Sequence, residues 1–190
     1  MARTADPDTH ARRRAQLVDA VFRIVRRDGI EHVSVRAVAA EAGLSMGSLR
    51  HYFSTQAELL AFSLAEVERR LRERLAGLRP TGEARADLEQ VLRQLLPLTP
   101  DTRTEHEIWL AFVGRVIADP ALRSLNARVY DQTRDLIHRH LRRLGGPDPD
   151  LATEQTYALV DGLVLHYGLR PEQWPPDRLA AVLSYHLDTL

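Results

Sequence analysis

Five side chains that can hydrogen-bond or carry charge crowd one short stretch, GLSMGSLRHYF at residues 43–53. They are Ser45, Ser48, Arg50, His51 and Tyr52. Hydroxyl, imidazole and guanidinium groups donate hydrogen bonds to phosphate oxygens, and a guanidinium also reaches the edge of guanine. The chemistry that these residue types favour is the binding of nucleic acid.

The elements that must position these side chains are two short helices, predicted at about residues 35–42 and 46–52. Ser34 and Ser45 precede them as N-cap residues, whose hydroxyls accept backbone N–H bonds. Gly43 stands where a tight turn needs a positive φ. Two such helices form a helix-turn-helix, whose second helix enters the major groove of DNA. The same pattern also fits a plain helical hairpin packed in a bundle.

In the helix-turn-helix interpretation, residues at the start of the second helix approach bases, and flanking residues hold phosphates. The predicted DNA-binding residues are Ser34, Arg36, Ser45, Met46, Gly47, Ser48, Arg50, His51 and Tyr52. Upstream, Arg12, Arg13 and Arg14 are expected to add attraction to the DNA backbone or minor groove.

Composition supports this placement only weakly. The 190 residues carry no net charge, but residues 1–53 hold nine Arg against six acidic residues. All 26 basic residues are Arg, and there is no Cys, which excludes disulfides and thiolate chemistry. The first residues lack the apolar core of a signal peptide, and no apolar run is long enough to span a bilayer. We therefore expect a soluble cytoplasmic protein with no membrane partner.

No catalytic or metal-binding motif is present. The chain lacks a G-x-S-x-G nucleophile elbow, a Walker phosphate loop and an H-E-x-x-H zinc pair. The EHE run at 105–107 places successive side chains on different helical faces, so they do not converge. His166 and His186 are the histidines that could meet across the last two helices. We expect no enzyme activity, no metal and no cofactor.

Helical periodicity runs through nearly the whole chain and predicts an all-α fold of about nine helices. A long fourth helix is predicted from Thr55, which caps it, to about Leu78. We expect a helix-turn-helix domain at 1–54 and a second helical domain at 55–190. The sixth helix is predicted to begin at 102 and the seventh at Pro120.

The stretch SVRAVAAEAGLSMGSLRHYFSTQAELL, residues 34–60, resembles the DNA-binding region of the tetracycline-repressor (TetR) family. Gly43, Ser45, HYF at 51–53 and ELL at 58–60 fall at that family's spacings. Arg50 stands where an aromatic residue is common, and Gln56 stands where a Lys often contacts phosphate. IWLAFVGRVIADPALRSLNARVY and LVDGLVLHYGL are similar, more faintly, to the BetI-like subgroup.

The resemblance implies a homodimer that binds double-stranded operator DNA and a small-molecule effector through its C-terminal domain. Its expected role is a repressor that the effector releases, although an activator would need the same DNA-binding helices. A helical small-molecule carrier or enzyme without DNA binding is the alternative from another class.

An effector site should be a mostly apolar cleft between helices. The residues predicted to line it are Phe62, Glu66, Trp109, Phe112, Val113, Tyr130 and Arg134. Their aromatic and acidic groups suit a cationic or planar aromatic effector. Asp161, within an apolar run, is expected to have a structural partner such as Arg or Tyr, with a place facing the pocket or at the dimer interface as the alternatives.

The eighth helix is apolar around much of its circumference, and the ninth carries one apolar stripe. Both features favour these helices as the dimer interface, with packing into the monomer core as the alternative. The predicted interface residues are Leu163, Tyr167, Leu179, Val182, Leu183 and His186.

Overall fold

A computed structural model describes residues 7–53 and 55–190, and the side chains of residues 7–11, 50 and 121 lie outside this description. The described residues form nine α-helices with no β-strand, which confirms the predicted all-α fold. The helices are α1 (Pro7–Asp28), α2 (Val35–Glu41), α3 (Met46–Arg50), α4 (Gln56–Ala76), α5 (Ala84–Arg93), α6 (Pro100–Ala118), α7 (Arg123–Leu144), α8 (Pro149–Leu169) and α9 (Pro176–Leu187). Within these residues, no helix combines the length and apolar character that crossing a bilayer requires.

Side-chain caps begin the helices where the sequence predicts them. The hydroxyls of Ser34, Ser45 and Thr55 accept bonds from backbone N–H groups three residues later, at the starts of α2, α3 and α4. Each cap satisfies a donor that the first helical turn leaves unpaired. These local bonds fix three of the helix starts.

Two helix starts differ from the prediction. α6 begins at Pro100 because Thr99 and Thr102 form a reciprocal capping box, two residues before the predicted position. The predicted start of α7 at Pro120 was wrong, since Pro120–Leu122 forms a 3-10 turn and the α-helix begins at Arg123.

Two apolar cores divide the chain. The first joins α1, α2, α3 and the start of α4, and it includes Ile108 of α6. The second joins α5, α7, α8 and α9. α4 serves both, with Leu59 buried in the first core and Leu71 packed against the second. The domain boundary between 54 and 55 precedes α4 and stays a prediction, because α4 and α6 belong to both regions.

Candidate nucleic-acid interface and effector cavity

The turn between α2 and α3 has the conformation that its glycine predicts. Gly43 has a φ of 67°, in the left-handed region that favours glycine. The backbone N–H of Leu44 donates to the carbonyl of Ala39 at 2.8 Å, which closes the turn. α3 therefore leaves α2 at an angle set by main-chain bonds.

The inner face of the α2–α3 pair is fully packed. Val38, Leu49 and Phe53 are each 0% exposed in the first core. On the outer edge, Glu41 of α2 pairs with Arg23 and Arg27 of α1 at 2.7 and 3.1 Å. The ion pairs hold α2 against α1, and the packing of Leu49 and Phe53 into the same core leaves the other face of α3 pointing outward.

The outward face carries most of the predicted DNA-binding residues. Six of the nine are exposed and two are half-buried, while the side chain of Arg50 lies outside the described residues. Exposed are Ser34, Arg36, Ser45, Met46, Gly47 and His51; half-buried are Ser48 and Tyr52. Their placement on one surface is compatible with the predicted role, which stays a prediction.

The hydroxyls of α3 differ in what they can offer a ligand. Ser45 Oγ accepts the Ser48 N–H at 3.1 Å and donates to Ser48 Oγ at 3.0 Å, so its own proton is used. No acceptor for the hydroxyl proton of Ser48 is found among the described residues, so this proton is available to a ligand. A Cβ on Gly47 would meet only Ser45 Oγ, at 3.9 Å. Packing inside the chain therefore gives no reason for a glycine at position 47.

Arg14 does not point toward a DNA surface. Its guanidinium lies over the ring of Phe62 at 4.2 Å and that of Phe53 at 5.2 Å, and its Nε is buried. A guanidinium over aromatic faces is a cation–π contact. The expected role of Arg14 in attracting DNA is therefore corrected to one of joining α1 to α4.

A cavity opens between α4, α6, α7, α8 and the turn after α5. It contains about 650 Å³ of empty space, including its open mouth. Its lining is mostly apolar and comprises Leu64, Val67, Glu68, Leu71, Arg74, Gln94, Leu95, Glu105, His106, Trp109, Val129, Thr133, Tyr157, Val160 and Val164. A concave apolar site with a few polar groups has the character of a small-molecule site.

The polar groups of this cavity are largely satisfied by each other. Arg74 donates to both oxygens of Glu105 at 2.9 and 2.7 Å, and Glu105 is 2% exposed. The two ring nitrogens of His106 face the carbonyls of Thr102 and Leu95 at 2.6 and 2.9 Å, while burial lowers its pKa. The Arg74–Glu105 pair and the His106 ring are therefore fixed in position by their hydrogen bonds. Only the ring face of His106 is left to contact a ligand.

Glu68 is the cavity group with more freedom, whereas the Tyr157 ring lies 4.8 Å from that of Tyr130 and its hydroxyl hydrogen-bonds with Thr133. Glu68 pairs only at 3.6 Å with Arg72, whose side chain is 62% exposed. Burial raises the pKa of Tyr157 above that of an ordinary tyrosine, which is itself neutral at physiological pH. Because Arg74 and Glu105 cancel, the carboxylate of Glu68 is the remaining charge among the lining residues.

Of the seven predicted pocket residues, only Trp109 lines the cavity. Phe62 packs beside Phe53, with ring centroids 5.4 Å apart, and Glu66 bonds to Arg69 and Arg70. The remaining four lie elsewhere: Phe112 is fully buried, Val113 is half-buried outside the lining, and Tyr130 and Arg134 both bond to Glu154.

Six of the predicted residues therefore lie outside this cavity. Phe62 and Glu66 lie on the face of α4 that turns to α1, and Tyr130 and Arg134 lie on the outer edge of α7. The residues missed were chiefly Glu68, Thr133 and Tyr157. A spacing signal existed on α4, where Leu64, Glu68, Leu71 and Arg74 recur at three- and four-residue steps on one helical face.

Asp161 lacks the structural partner that the sequence suggested. No hydrogen bond or ion pair to its carboxylate is found among the described residues, and burial raises its pKa to about 6. It lies one turn from Tyr157 on α8, and its charge contributes to the raised pKa of that tyrosine. An uncompensated carboxylate thus lies beside the cavity wall.

Three of the predicted interface residues face the interior of their own chain. Leu163, Leu179 and Leu183 are at most 2% exposed in the second core, as in the packing alternative. Tyr167, Val182 and His186 are half-buried, and His186 Nε2 lies 2.9 Å from Thr156 Oγ1. The interface prediction for the three leucines is corrected, because a side chain buried in one protomer cannot contact another.

His166 and His186 do not form a pair. The His166 ring stacks on Trp174, with centroids 4.7 Å apart, while His186 faces Thr156. Within the described part of the chain, no three His, Asp or Glu side chains are placed to share a metal ion.

α6 connects the cavity with the N-terminal region. Glu105, His106 and Trp109 line the cavity, whereas Ile108 is fully buried in the first core. The carboxylate of Glu107 accepts a hydrogen bond from the backbone N–H of Ile30, in the turn after α1. α6 therefore contacts both the cavity and the turn after α1.

Comparisons with known proteins agree with this architecture. Residues 17–61 match the bacterial regulatory proteins of the tetR family, and residues 84–190 match the C-terminal region of the BetI-type transcriptional repressor. The chain is 34% identical, over 95% of its length and 91% of the relative's, to the HTH-type transcriptional regulator PksA of Bacillus subtilis.

Solved structures show the same fold. A transcriptional regulator from Rhodococcus sp. Rha1 superposes with a TM-score of 0.83 at 30% identity, covering 93% of this chain and 94% of that one. A regulator from Saccharomonospora viridis, solved in complex with choline, superposes with a TM-score of 0.82 at 22% identity, covering 94% and 96%. With its helix-turn-helix, second helical region and matching family models, the chain belongs to the tetR family of DNA-binding transcriptional regulators.

Proposed function

We propose that the chain is a homodimeric repressor that occupies operator DNA through α3 and leaves it when a small molecule enters the cavity. The observation that carries this proposal is the outer face of α2 and α3, which exposes Arg36, Gly47 and His51 and takes no part in the core. The match to a BetI-type repressor supports repression over activation. The chain acts without catalysis, in the cytoplasm, where bacterial DNA lies.

The first test is DNA binding by fluorescence anisotropy. The probe is the duplex upstream of the chain's own gene, with a scrambled duplex as control. Between about 50 and 200 mM salt, a protein with six to ten phosphate contacts loses roughly 10³–10⁵ in affinity. Selective, salt-dependent binding supports the proposal. No binding to either duplex at low salt would favour a helical carrier without DNA binding.

Arg36 allows a sharper test of the contact surface. It is exposed, and no hydrogen bond or ion pair to it is found among the described residues, so Arg36→Ala should leave folding intact. Loss of one phosphate contact lowers affinity for all duplexes alike and reduces the salt slope by about one. Arg139→Ala, equally exposed on α7, is the matched control. Equal effects of the two variants would contradict the placement of DNA on α2.

The outer face of α8 and α9 suits contact with a second copy of the chain. Leu165, Leu169 and Tyr185 are 49%, 69% and 74% exposed, and Ala158 and Ala181 lie exposed on the same two helices. Exposed apolar residues on neighbouring helices commonly mark interfaces. A two-fold dimer would also place two copies of α3 on half-sites about 34–36 Å apart.

Tyr185→Glu tests this interface by sedimentation equilibrium. The side chain is exposed in one protomer, so the variant should fold but shift the dimer toward monomer. Ile117→Glu, at a position 79% exposed on α6, is the control and should remain dimeric. A wild-type monomer, or a Tyr185→Glu dimer of unchanged affinity, would exclude this face as the interface.

For the effector, the cavity supports an organic cation, as predicted, but through different residues. Trp109 and Tyr157 offer aromatic rings, and Glu68 offers a charge not cancelled inside the cavity. Ring faces and carboxylates attract cations. Two proteins that share the fold, at 22% and 24% identity, were solved with a bound cation: the S. viridis regulator with choline and the multidrug binding protein EbrR with ethidium.

Choline and ethidium are therefore the probes for a titration by isothermal calorimetry. Glu68→Gln should weaken binding roughly tenfold, since it removes a charge-assisted contact. Glu73→Gln, one and a half turns along α4 and exposed, is the control. If an uncharged or anionic analogue binds as well as either cation, the effector is not recognised by charge.

A further inference from the structure

A second crevice lies between the end of α4, α5 and the last turns of α7. It contains about 510 Å³ of empty space, including its mouth, and shares no lining residue with the effector cavity. Its floor is apolar, formed by Leu75, Leu78, Val91 and Leu136. A pocket with such a floor can bury a short hydrocarbon chain.

The rim of this crevice is basic. Arg79, after α4, and Arg143, on α7, both line it. No hydrogen bond or ion pair to Arg79 is found among the described residues, so its charge is not cancelled locally. His140 faces the same space and bonds through Nδ1 to the carbonyl of Leu136 at 2.9 Å, which leaves Nε2 as its remaining polar atom.

Asp87 is the acidic residue of the lining, and its shortest hydrogen bonds are to Thr81, which does not line the crevice. It accepts the N–H and the hydroxyl of Thr81 at 2.6 and 2.7 Å, and these bonds hold its pKa below the usual range. Arg143 reaches it only at 3.4 Å, and Asp87 is 6% exposed. Two guanidinium groups at the rim thus face one buried carboxylate, and the crevice keeps a net positive charge.

We propose that this crevice binds an amphiphilic carboxylate, with its head group between Arg79 and Arg143 and its alkyl chain on the leucine floor. Arginine forms paired, charge-assisted bonds with carboxylates, and the apolar floor favours a chain over a bare anion. The basic end of α7 compensates the helix dipole, but that effect does not account for Arg79, which belongs to another element. The site is independent of the proposed effector and of DNA binding.

The experiment is calorimetric titration of the full chain with octanoate and, in parallel, with octanol. Octanoate should bind the wild type at least tenfold more tightly than octanol, because only the carboxylate pairs with arginine. Arg79→Glu should abolish that preference. Arg139→Glu is the control and should keep the preference for octanoate. Arg139 is also an exposed arginine on α7, but it does not line the crevice.

The variants alter exposed side chains, and thermal unfolding by circular dichroism checks that each remains folded. Absence of octanoate binding up to about 10 mM would overturn the proposal, since that limit is weaker than any useful affinity. Unchanged octanoate binding in Arg79→Glu would overturn it too, because the anion would then be held elsewhere, including in the effector cavity.

Discussion

The DNA-binding surface and the effector cavity are built in different ways. The caps and the turn that shape the α2–α3 pair are bonds between residues three to five apart, such as Ser45 with Ser48 and Leu44 with Ala39. The cavity is walled by side chains that come from Leu64 to Val164 along the chain. One region is fixed locally, whereas the other depends on how four long helices pack.

This difference has a functional meaning. The α2–α3 surface keeps its shape when the rest of the chain moves, because its caps and its turn are bonded within the pair. A cavity between long helices changes shape when those helices change their relative positions. Under the proposed function, a small molecule in the cavity would move α3 as a rigid unit without reshaping it. α4 and α6, which belong to both regions, are the elements through which the cavity and the DNA-binding surface influence each other.

The largest effect is expected at the buried ion pair of the cavity. Glu105→Ala leaves Arg74 without its partner, which costs about 3–5 kcal/mol of unfolding free energy. Chemical denaturation measures it. Glu73→Ala breaks the exposed pair with Arg69 and should cost less than about 1 kcal/mol. Similar losses in the two variants would mean that the Arg74–Glu105 pair is not buried in solution.

A smaller loss is expected in the core beneath the DNA-binding surface. Leu49→Ala creates a hole at a side chain that is 0% exposed, at a cost of about 3 kcal/mol. DNA affinity should fall with it, while binding of the cavity probe should persist. Met46→Ala, at a position 38% exposed on the same helix, should leave stability unchanged. Loss of probe binding in Leu49→Ala would show that the two regions do not fold separately.

The contrast between the regions also explains what the sequence could predict. Caps at Ser34 and Ser45 and the turn at Gly43 involve neighbours in sequence, so their chemistry is visible without a structure. To predict the residues that line the cavity, one must know how each helix is rotated about its axis. That rotation depends on packing partners far along the chain. Helical spacing placed Phe62 and Glu66 on one face of α4. It did not show that this face packs against α1, where Arg14 lies over the Phe62 ring.

Charges were predicted least well. The Glu66–Arg70 pair follows from the i,i+4 rule and is present at 2.8 Å. In contrast, Arg74 pairs with Glu105, on a helix that the chain reaches only after α5, and no local rule connects them. The same limitation applies to Asp161, whose missing partner could be recognised only once α8 was placed.

A moderate effect is expected at the cap of α3. Ser45→Ala removes the acceptor for the Ser48 N–H and should cost about 1 kcal/mol, whereas Ser45→Gly should cost only a few tenths. Thermal unfolding compares the two. If both variants lose DNA affinity equally although their stabilities differ, Ser45 contacts DNA. If affinity follows stability, the residue acts only as a cap.

The smallest effect on stability is expected at Asp161. There, the pH dependence of stability distinguishes an effect of charge from an effect of packing. Burial raises its folded pKa to about 6 from an ordinary 3.8, so the folded chain holds the proton more tightly than the unfolded chain. The ionised carboxylate therefore destabilises the fold fully above pH 6, and this cost fades as the pH falls toward 3.8. Because the side chain is only half-buried, we expect about 1 kcal/mol.

Asp161→Asn should accordingly raise the melting temperature at about pH 7.5, with a smaller gain at about pH 4.5. Asp131→Asn, exposed on α7, is the control and should show no such trend. A gain at Asp161 that is equal at both pH values would reflect packing and not charge. A loss of melting temperature at pH 7.5 would mean that the Asp161 carboxylate has a hydrogen-bond or ion-pair partner in solution. Its polar atoms would then be paired, as those of the caps of α2 and α3 are.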